Sequence, residues 1–454
     1  MKHKTILLSL LVIFGLMLAS CAAPEAEVTT ESVVEEAAEE VAEAEVDPTA
    51  CNVAAPSEPI TVNVYGWTFD IMDYYAEELE KCTEVENIDV EVQLLDSATV
   101  SENVRLALST GGDSPYDIVH GANSQMIEWG SEGWIMPLND LIDKYRDEYD
   151  LDDISDAAWA GSVVDGNIYG IPVVGNTLHL AYRSDLFEQY NLEVPTTYDE
   201  IIAACEVLKD EPSIDVPFTM DVSAGWAWEI EFLAFIRSYG GDFLNEDNSP
   251  AFNSPEGVEA ATKMKEVVDA CMGDAHLSYG YETNAIAMAN GSIAFTQIWA
   301  SATNDMVDPE QSDFADVIKF APAAAPKPGS LLGGSAWNDY YAIPTTTTVD
   351  PELLFLMIMH AADAQSMQEA AKFGIVTRTS ITEGGVPYLA AANETIANGV
   401  GIYQVNPPIP LARAALGNWM PFIGSGEMTA QEALDAAAEE YITEATAQGY
   451  LTGD

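Results

Sequence analysis

Trp67 follows a run, Ile60–Tyr65, in which apolar and polar residues alternate as in a half-buried strand, and Gly66 interrupts the alternation just before it. An indole at a strand end offers a flat apolar face to a small molecule; packing within the loop is the alternative. Trp226 and Trp228 stand beside Gly225 at the start of a long amphipathic run through Tyr239. This is a second place where indoles can form a platform for a sugar ring, with core packing of one of them an equal alternative. Asn123 follows a further apolar run, Tyr116–His120, through Gly121-Ala122. Its carboxamide can both donate and accept hydrogen bonds.

Covalent chemistry has less support. The chain has no GxxxxGK[S/T] phosphate loop, no GxGxxG after a strand and no GxSxG elbow. His3, His120, His179, His276 and His360 show no metal-ligand spacing. His120 and His179 can approach each other in space, and a hydrogen-bonded structural role is expected there. Cys51, Cys82, Cys205 and Cys271 form no CxxC pair, so neither zinc nor dithiol chemistry is indicated. Carboxylates are so numerous that any glycosidase-like pair is an unspecific match. Asn245-Glu246-Asp247-Asn248 lacks the glycine and terminal glutamate of a calcium loop, and a hairpin loop is expected. The reading is a binding protein, not an enzyme, with no metal and no cofactor.

The N-terminus has its own logic. Lys2, His3 and Lys4 precede the apolar run Ile6–Leu18, which is shorter than the ~20 residues that span a bilayer. A signal peptide over residues 1–20 is predicted. Leu18-Ala19-Ser20-Cys21 resembles a bacterial lipobox, which makes Cys21 the lipidation site; an ordinary secretory signal is the alternative. Residues 22–50 hold ten acids and no base, so 21–57 is expected to be an acidic disordered tether, or else an exposed spacer helix. The whole chain carries 16 bases against 75 acids, a net charge of −59, which excludes phosphate-backbone binding and so nucleic acid. The acids are spread along the chain, and a solvated surface adapted to salt or acid is preferred over a field that gathers cations.

The elements that carry these side chains alternate. Strand-like Ile60–Tyr65, helical Asp70–Lys81, strand-like Ile88–Leu95, helical Val100–Ser109 and strand-like Tyr116–His120 predict a parallel α/β sheet. Ligands of such sheets lie beyond the carboxyl ends of strands, where Trp67 and Asn123 fall. Helices are predicted over Tyr198–Leu208, capped by Thr197, and over Pro255–Cys271, Glu282–Asn290, Pro351–Ala362 and Thr429–Ala447. Further strands are expected at Phe218–Asp221, Ser292–Ile298 and Tyr340–Ile343. Two extended runs, Ile168–Val174 and Leu178–Tyr182, flank Gly175-Asn176-Thr177. Such punctuation suits a crossing between two compact bodies.

Several segments share their order and wording with a known family. They include Asp165-Gly166-Asn167-Ile168-Tyr169-Gly170-Ile171-Pro172, Leu180-Ala181-Tyr182-Arg183-Ser184-Asp185-Leu186-Phe187 and Val194-Pro195-Thr196-Thr197-Tyr198-Asp199-Glu200. Gly130–Leu138, Phe252–Val258, Asn290–Phe295 and Ala430–Leu434 add to these. Together, behind a lipobox, they resemble the extracellular solute-binding proteins of bacterial ABC importers, in the sugar-binding group that includes maltose-binding protein. Tyr198 and Arg183 depart mildly from the family wording.

The resemblance implies an α/β, two-lobed periplasmic-binding-protein-like fold of type II, its lobes joined by a hinge of crossing strands. The N-terminal lobe is expected over 58–172 and 340–392, the C-terminal lobe over 173–335 and 393–454. A disulfide pairing of Cys51 with Cys82 and Cys205 with Cys271 keeps each bond within one expected lobe, out of three possible connectivities. The cleft is implied to hold a small-molecule ligand, a sugar or oligosaccharide, between Trp67, Asp70, Asn123, Asn176, Trp226, Trp228, Trp299, Trp337 and Asn338. Arg413 falls near a family ligand position and is left out of the set. Partners are implied to be ABC permease subunits with a separate ATPase, and a membrane reached through the lipid anchor. The location is extracytoplasmic. A quaternary ammonium or polyamine is the alternative ligand, and a surface glycoside-processing enzyme the alternative class.

Overall fold

The computed structural model describes residues 49–452 except 224–225, 383–384 and 402–405, and the side chains of Ala98 and Trp226 are not described. The leader, Cys21 and the acidic stretch up to residue 48 lie outside the described residues.

Two sheets organise the described chain. The first runs, edge to edge, through Ile375–Val376, Ile171–Asn176, Trp337–Ala342, Ile118–Ala122, Ile60–Trp67 and Ile88–Leu95. Its last three strands are parallel, as the alternation of strands and helices predicts, and Trp337–Ala342 enters antiparallel between Ile118–Ala122 and Ile171–Asn176. The second sheet orders Ile318–Ala321, Leu178–Arg183, Ile293–Trp299 and Val216–Thr219, with only the last pair parallel. Each sheet has its own apolar core. Val62, Ile71, Tyr75, Ile118, Phe355 and Ile358 belong to the first, and Phe218, Trp228, Phe232, Met264, Phe295 and Leu434 to the second.

The chain crosses between the sheets where glycine and asparagine stand. Ile171–Asn176 pairs in the first sheet and Leu178–Arg183 in the second, with Thr177 between them. The changeover thus falls four residues later than 172/173, because the register with Trp337–Ala342 continues to Asn176.

Local signals explain the helix ends. The Thr197 hydroxyl accepts the Glu200 backbone N–H, and the Glu200 carboxylate accepts the Thr197 N–H, a reciprocal cap that starts Tyr198–Leu208. Pro255–Cys271 begins with proline in its first turn behind the cap Ser254, where a missing N–H costs nothing. Gly291 stops the helix Tyr281–Ala289 at φ 77°, and an added Cβ there would stand 2.1 Å from the Phe314 ring.

Cys51 is bonded to Cys82 and Cys205 to Cys271, the pairing expected. The first bond corrects the tether boundary. Cys51 is 8 % exposed and packs in the first core, so the chain is fixed to the body from there rather than from residue 58.

Candidate ligand-binding cleft

Two indoles meet where the bodies meet. Trp299 ends a strand of the second sheet, opposite Leu178, and Trp337 begins a strand of the first, opposite Asn176. Their ring centroids lie 6.0 Å apart at 61°, an edge-to-face pair. Trp337 is half-buried and Trp299 is 7 % exposed. The Arg413 guanidinium stands 5.6 Å from the centroid of Trp337. It also grips Glu229, with Nε donating to Oε1 at 2.7 Å and Nη2 at 2.5 Å from the same oxygen. Burial pushes the Glu229 carboxyl up, and the neighbouring Arg413 opposes that rise. A cavity of about 330 Å³ opens beside this pair. Ser124, Gln125 and Glu128 line it from the helix Asn123–Ser131 of the first body, and Glu229, Arg413 and Asn418 from the second.

The first body contributes a second arrangement at its strand ends. The Trp67 ring packs on His120 with centroids 3.8 Å apart and the planes tilted by 32°. The Trp67 backbone N–H points at His120 Nδ1 at 3.4 Å, which assigns the ring proton to Nε2, 3.1 Å from Asp339 Oδ1. One indole face is therefore covered from below, and Trp67 is 9 % exposed.

The amides expected at the site are committed to partners. Asn123 Oδ1 accepts the Asn338 backbone N–H at 2.8 Å, and Asn338 Nδ2 reaches Ala157 O at 3.4 Å. Asn123 Nδ2 is buried without a hydrogen-bond partner among the described residues and is open to a further contact. Asn176 Nδ2 donates to Ser301 Oγ at 2.9 Å, while its Oδ1 accepts the N–H groups of Thr177 and Ser301. The Tyr281 hydroxyl is 3.3 Å from the same Ser301 oxygen. Burial, then Ser301, Asp339 and Asp70, set the Tyr281 phenol, which is pushed up to about 12. Asp70 Oδ2 accepts from Asn304 Nδ2 across the two bodies at 2.6 Å.

Trp67, Asp70, Asn123, Asn176, Trp299, Trp337 and Asn338 thus gather where the sheets adjoin. Trp228 does not. It is fully buried in the second core, edge-on to His276 at 6.2 Å and against Gly424, where an added Cβ would overlap its ring. The helix Trp226–Ser238 is apolar on nearly every side, and its phase turns Trp228 inward beside Phe232. The Trp226 side chain lies outside the described residues. Glu229, Gln125, Glu128 and Arg413 are additions to the expected set. A signal existed for two of them: Glu229 is an acid within an apolar helix, and Arg413 is the only base between residues 379 and 454.

Residues 68–353 match the family model of the bacterial extracellular solute-binding proteins. The chain belongs to this family. A mannitol-binding protein of Pseudomonas aeruginosa is 22% identical to this solute-binding protein over 403 residues, 82% of this chain and 90% of the relative. An uncharacterised ABC-transporter extracellular-binding protein of Pyrococcus horikoshii is 30% identical over 190 residues, 41% of this chain and only 43% of the relative's length. Among solved structures, a solute-binding protein of Agrobacterium radiobacter K84 in complex with ribitol superposes with a TM-score of 0.76 at 22% identity, covering 86% of this chain and 100% of the other. Maltose-bound MalE3 of T. maritima gives 0.73 at 17% identity, covering 85% and 99%. These likenesses give the two-lobed α/β fold of the maltose-binding-protein type.

The family places this solute-binding protein outside the cytoplasm, in ABC-transporter context. Among the described residues no helix is long and apolar enough to cross a membrane. The grouping of metal-type ligands found among those residues is Cys51, Cys82 and His360, and its two sulfurs are joined to each other.

Proposed function

We propose that this protein captures a sugar or polyol in the cleft between its lobes and hands it to a membrane permease driven by a separate ATPase. The observation that carries this reading is Arg413, which pairs with Glu229 on the wall of a cavity edged by Ser124, Gln125 and Asn418 and stands over Trp337 of the Trp299–Trp337 pair. Indoles cover the C–H face of a sugar or polyol, while hydroxyls, amides and an ion pair saturate its O–H groups. Relatives named for mannitol and lactose binding, and folds bound to ribitol and D-mannitol, support the same class. A quaternary ammonium ligand is disfavoured because Arg413 already stands over Trp337. The reading is capture without turnover.

Titration with mannitol, ribitol and maltose, beside betaine and spermidine, is the test. One of the first three should bind and raise the melting temperature; binding confined to the last two, or release of a cleaved product, overturns the reading. Gln125 is half-buried on the cavity wall, so Gln125→Ala should weaken binding roughly 10-fold, the worth of one hydrogen bond to a buried ligand group. Its Oε1 also accepts the Ala122 N–H and the Ser124 hydroxyl at the start of the helix Asn123–Ser131, so the same change should cost about 1 kcal/mol of stability. Trp67→Ala and Trp299→Ala are poorer probes. Both rings are at least nine-tenths buried, and truncation should cost about 3 kcal/mol of stability in its own right.

The boundaries of the lobes follow the sheets in this proposal, with the changeover at Thr177. Anchoring is proposed through acylated Cys21, with the acids that follow it as spacer. Cys21→Ser should move the protein from the membrane fraction to the soluble extracytoplasmic fraction; retention with the membrane counts against the anchor.

A further inference from the structure

We propose that Asn304 is a closure latch: its carboxamide ties the two lobes together and sets the closed population, and through it ligand affinity, from outside the ligand cavity. The inference rests on the two-lobed binding-protein reading and adds a residue that governs its closure.

Asn304 opens a short helix of the second lobe, Asn304–Val307, directly after the turn that follows Trp299. Its Nδ2 donates to two groups of the first lobe, Asp70 Oδ2 at 2.6 Å and the Phe373 carbonyl at 2.8 Å. Its Oδ1 accepts the Tyr388 hydroxyl at 3.1 Å. The chemistry fixes which way the amide faces. A carboxylate and a carbonyl only accept, so the nitrogen must turn to them, and the hydroxyl then completes the oxygen. Both amide protons and the carbonyl oxygen are thereby satisfied.

The groups on either side are held by their own lobes. Asp70 starts the helix Asp70–Glu80, and Phe373 stacks on Tyr74 of that helix with centroids 5.6 Å apart. Tyr388 falls within 340–392, the range expected for the N-terminal lobe, but it is fully buried edge-on to His179 and Phe320 of the second sheet and so is held by the second lobe. The latch thus joins a rigid site on one lobe to a rigid site on the other. The cavity is lined instead from the helices Asn123–Ser131 and Ile409–Trp419 and by Glu229, and Asn304 is not part of its wall.

A hinge that opens must break both Nδ2 bonds, one of them to an ionised acceptor, and such bonds are the stronger kind. Apparent affinity is the intrinsic affinity scaled by the closed, competent fraction. Removing the latch therefore weakens binding by a faster dissociation rate with little change in capture.

The experiment measures interlobe distance by paired spin labels, one on each lobe, in the full chain without ligand. Asn304→Ala should shift the distribution toward the open, longer distance. Asn304→Asp should shift it further, because a second carboxylate then faces Asp70 and the Phe373 carbonyl. The double variant Asp70→Asn/Asn304→Asp restores a donor–acceptor pair of reversed polarity and should move the distance back toward wild type. Unchanged distances in Asn304→Ala and Asn304→Asp, or a double variant as open as Asn304→Asp, overturn the latch. The distance is read without any sugar, so failure of the latch and failure of the sugar reading are separate results.

Discussion

Glu231→Gln should stabilise the protein at pH 8 by about 4 kcal/mol relative to wild type and leave it nearly unchanged at pH 4.5. Glu231 is fully buried in the second lobe. Its Oε1 accepts the Asp221 backbone N–H at 3.2 Å and its Oε2 the Gln297 amide at 2.6 Å. Burial first, and the Asp221 carboxylate second, raise its pKa from 4.5 to about 8, against the opposing pull of those two hydrogen bonds. Asp221 is raised in the same way to about 6 by burial, and one of its carboxylate oxygens is buried without a partner.

The sign follows from proton binding. Between the unfolded value of 4.5 and about 8, the folded lobe holds a proton on Glu231 that the unfolded chain has released. That contribution is complete below pH 4.5 and is lost as pH rises through 8. Repulsion among the surplus acids, net −59, also grows with pH, so wild type alone does not isolate the site. The difference between wild type and Glu231→Gln does, since the surface is shared. Gln297 can turn its amide over to meet the new one. In thermal melts the variant should gain roughly 10 °C at pH 8, taking about 2–4 °C per kcal/mol for a lobe-sized unit. Parallel pH curves for the two proteins would sink the argument.

How much of this was legible depends on range. Pro255–Cys271 carries a cap, a first-turn proline and an apolar face within one stretch, and the sequence places it to the residue. Gly175-Asn176-Thr177 marks the crossing locally, but the boundary expected at 172/173 falls short of it, because the pairing of Ile171–Asn176 with Trp337–Ala342 that carries the strand on to Asn176 is long-range. The cysteine pairing was legible only once the lobes were assumed. Trp228 is misplaced because the run expected to be amphipathic is buried on nearly every side, its acids Glu229 and Glu231 included, so the pattern gives no phase and two indoles at its start look alike. The pairs that build the cleft are long-range: His120 with Asp339, Arg413 with Glu229, Asn304 with Asp70. Nothing local in a chain with 75 acids marks which carboxylate a given base or amide will meet. Only scarcity helps, as it does for Arg413.

Arg413→Ala should cost the most at the cleft, on the order of 3 kcal/mol of stability at pH 7 together with most of the ligand affinity. The reason is what it leaves behind. Glu229 is 1 % exposed, and its second oxygen already lacks a hydrogen-bond partner in the structure. Without the guanidinium nothing opposes the burial that raises its carboxyl. The orphaned acid then takes up a proton on folding, so the variant's deficit should shrink as pH falls and grow as pH rises. Arg413→Ala/Glu229→Gln removes the buried charge and should recover at least half of the lost stability. It should not recover the affinity, because Arg413 lines the cavity and stands over Trp337. Chemical denaturation and titration on wild type and these two variants separate the two effects. Equal recovery of both would mean that Arg413 serves only to neutralise Glu229; recovery of neither would mean that the ion pair is not what holds this wall of the cleft in place.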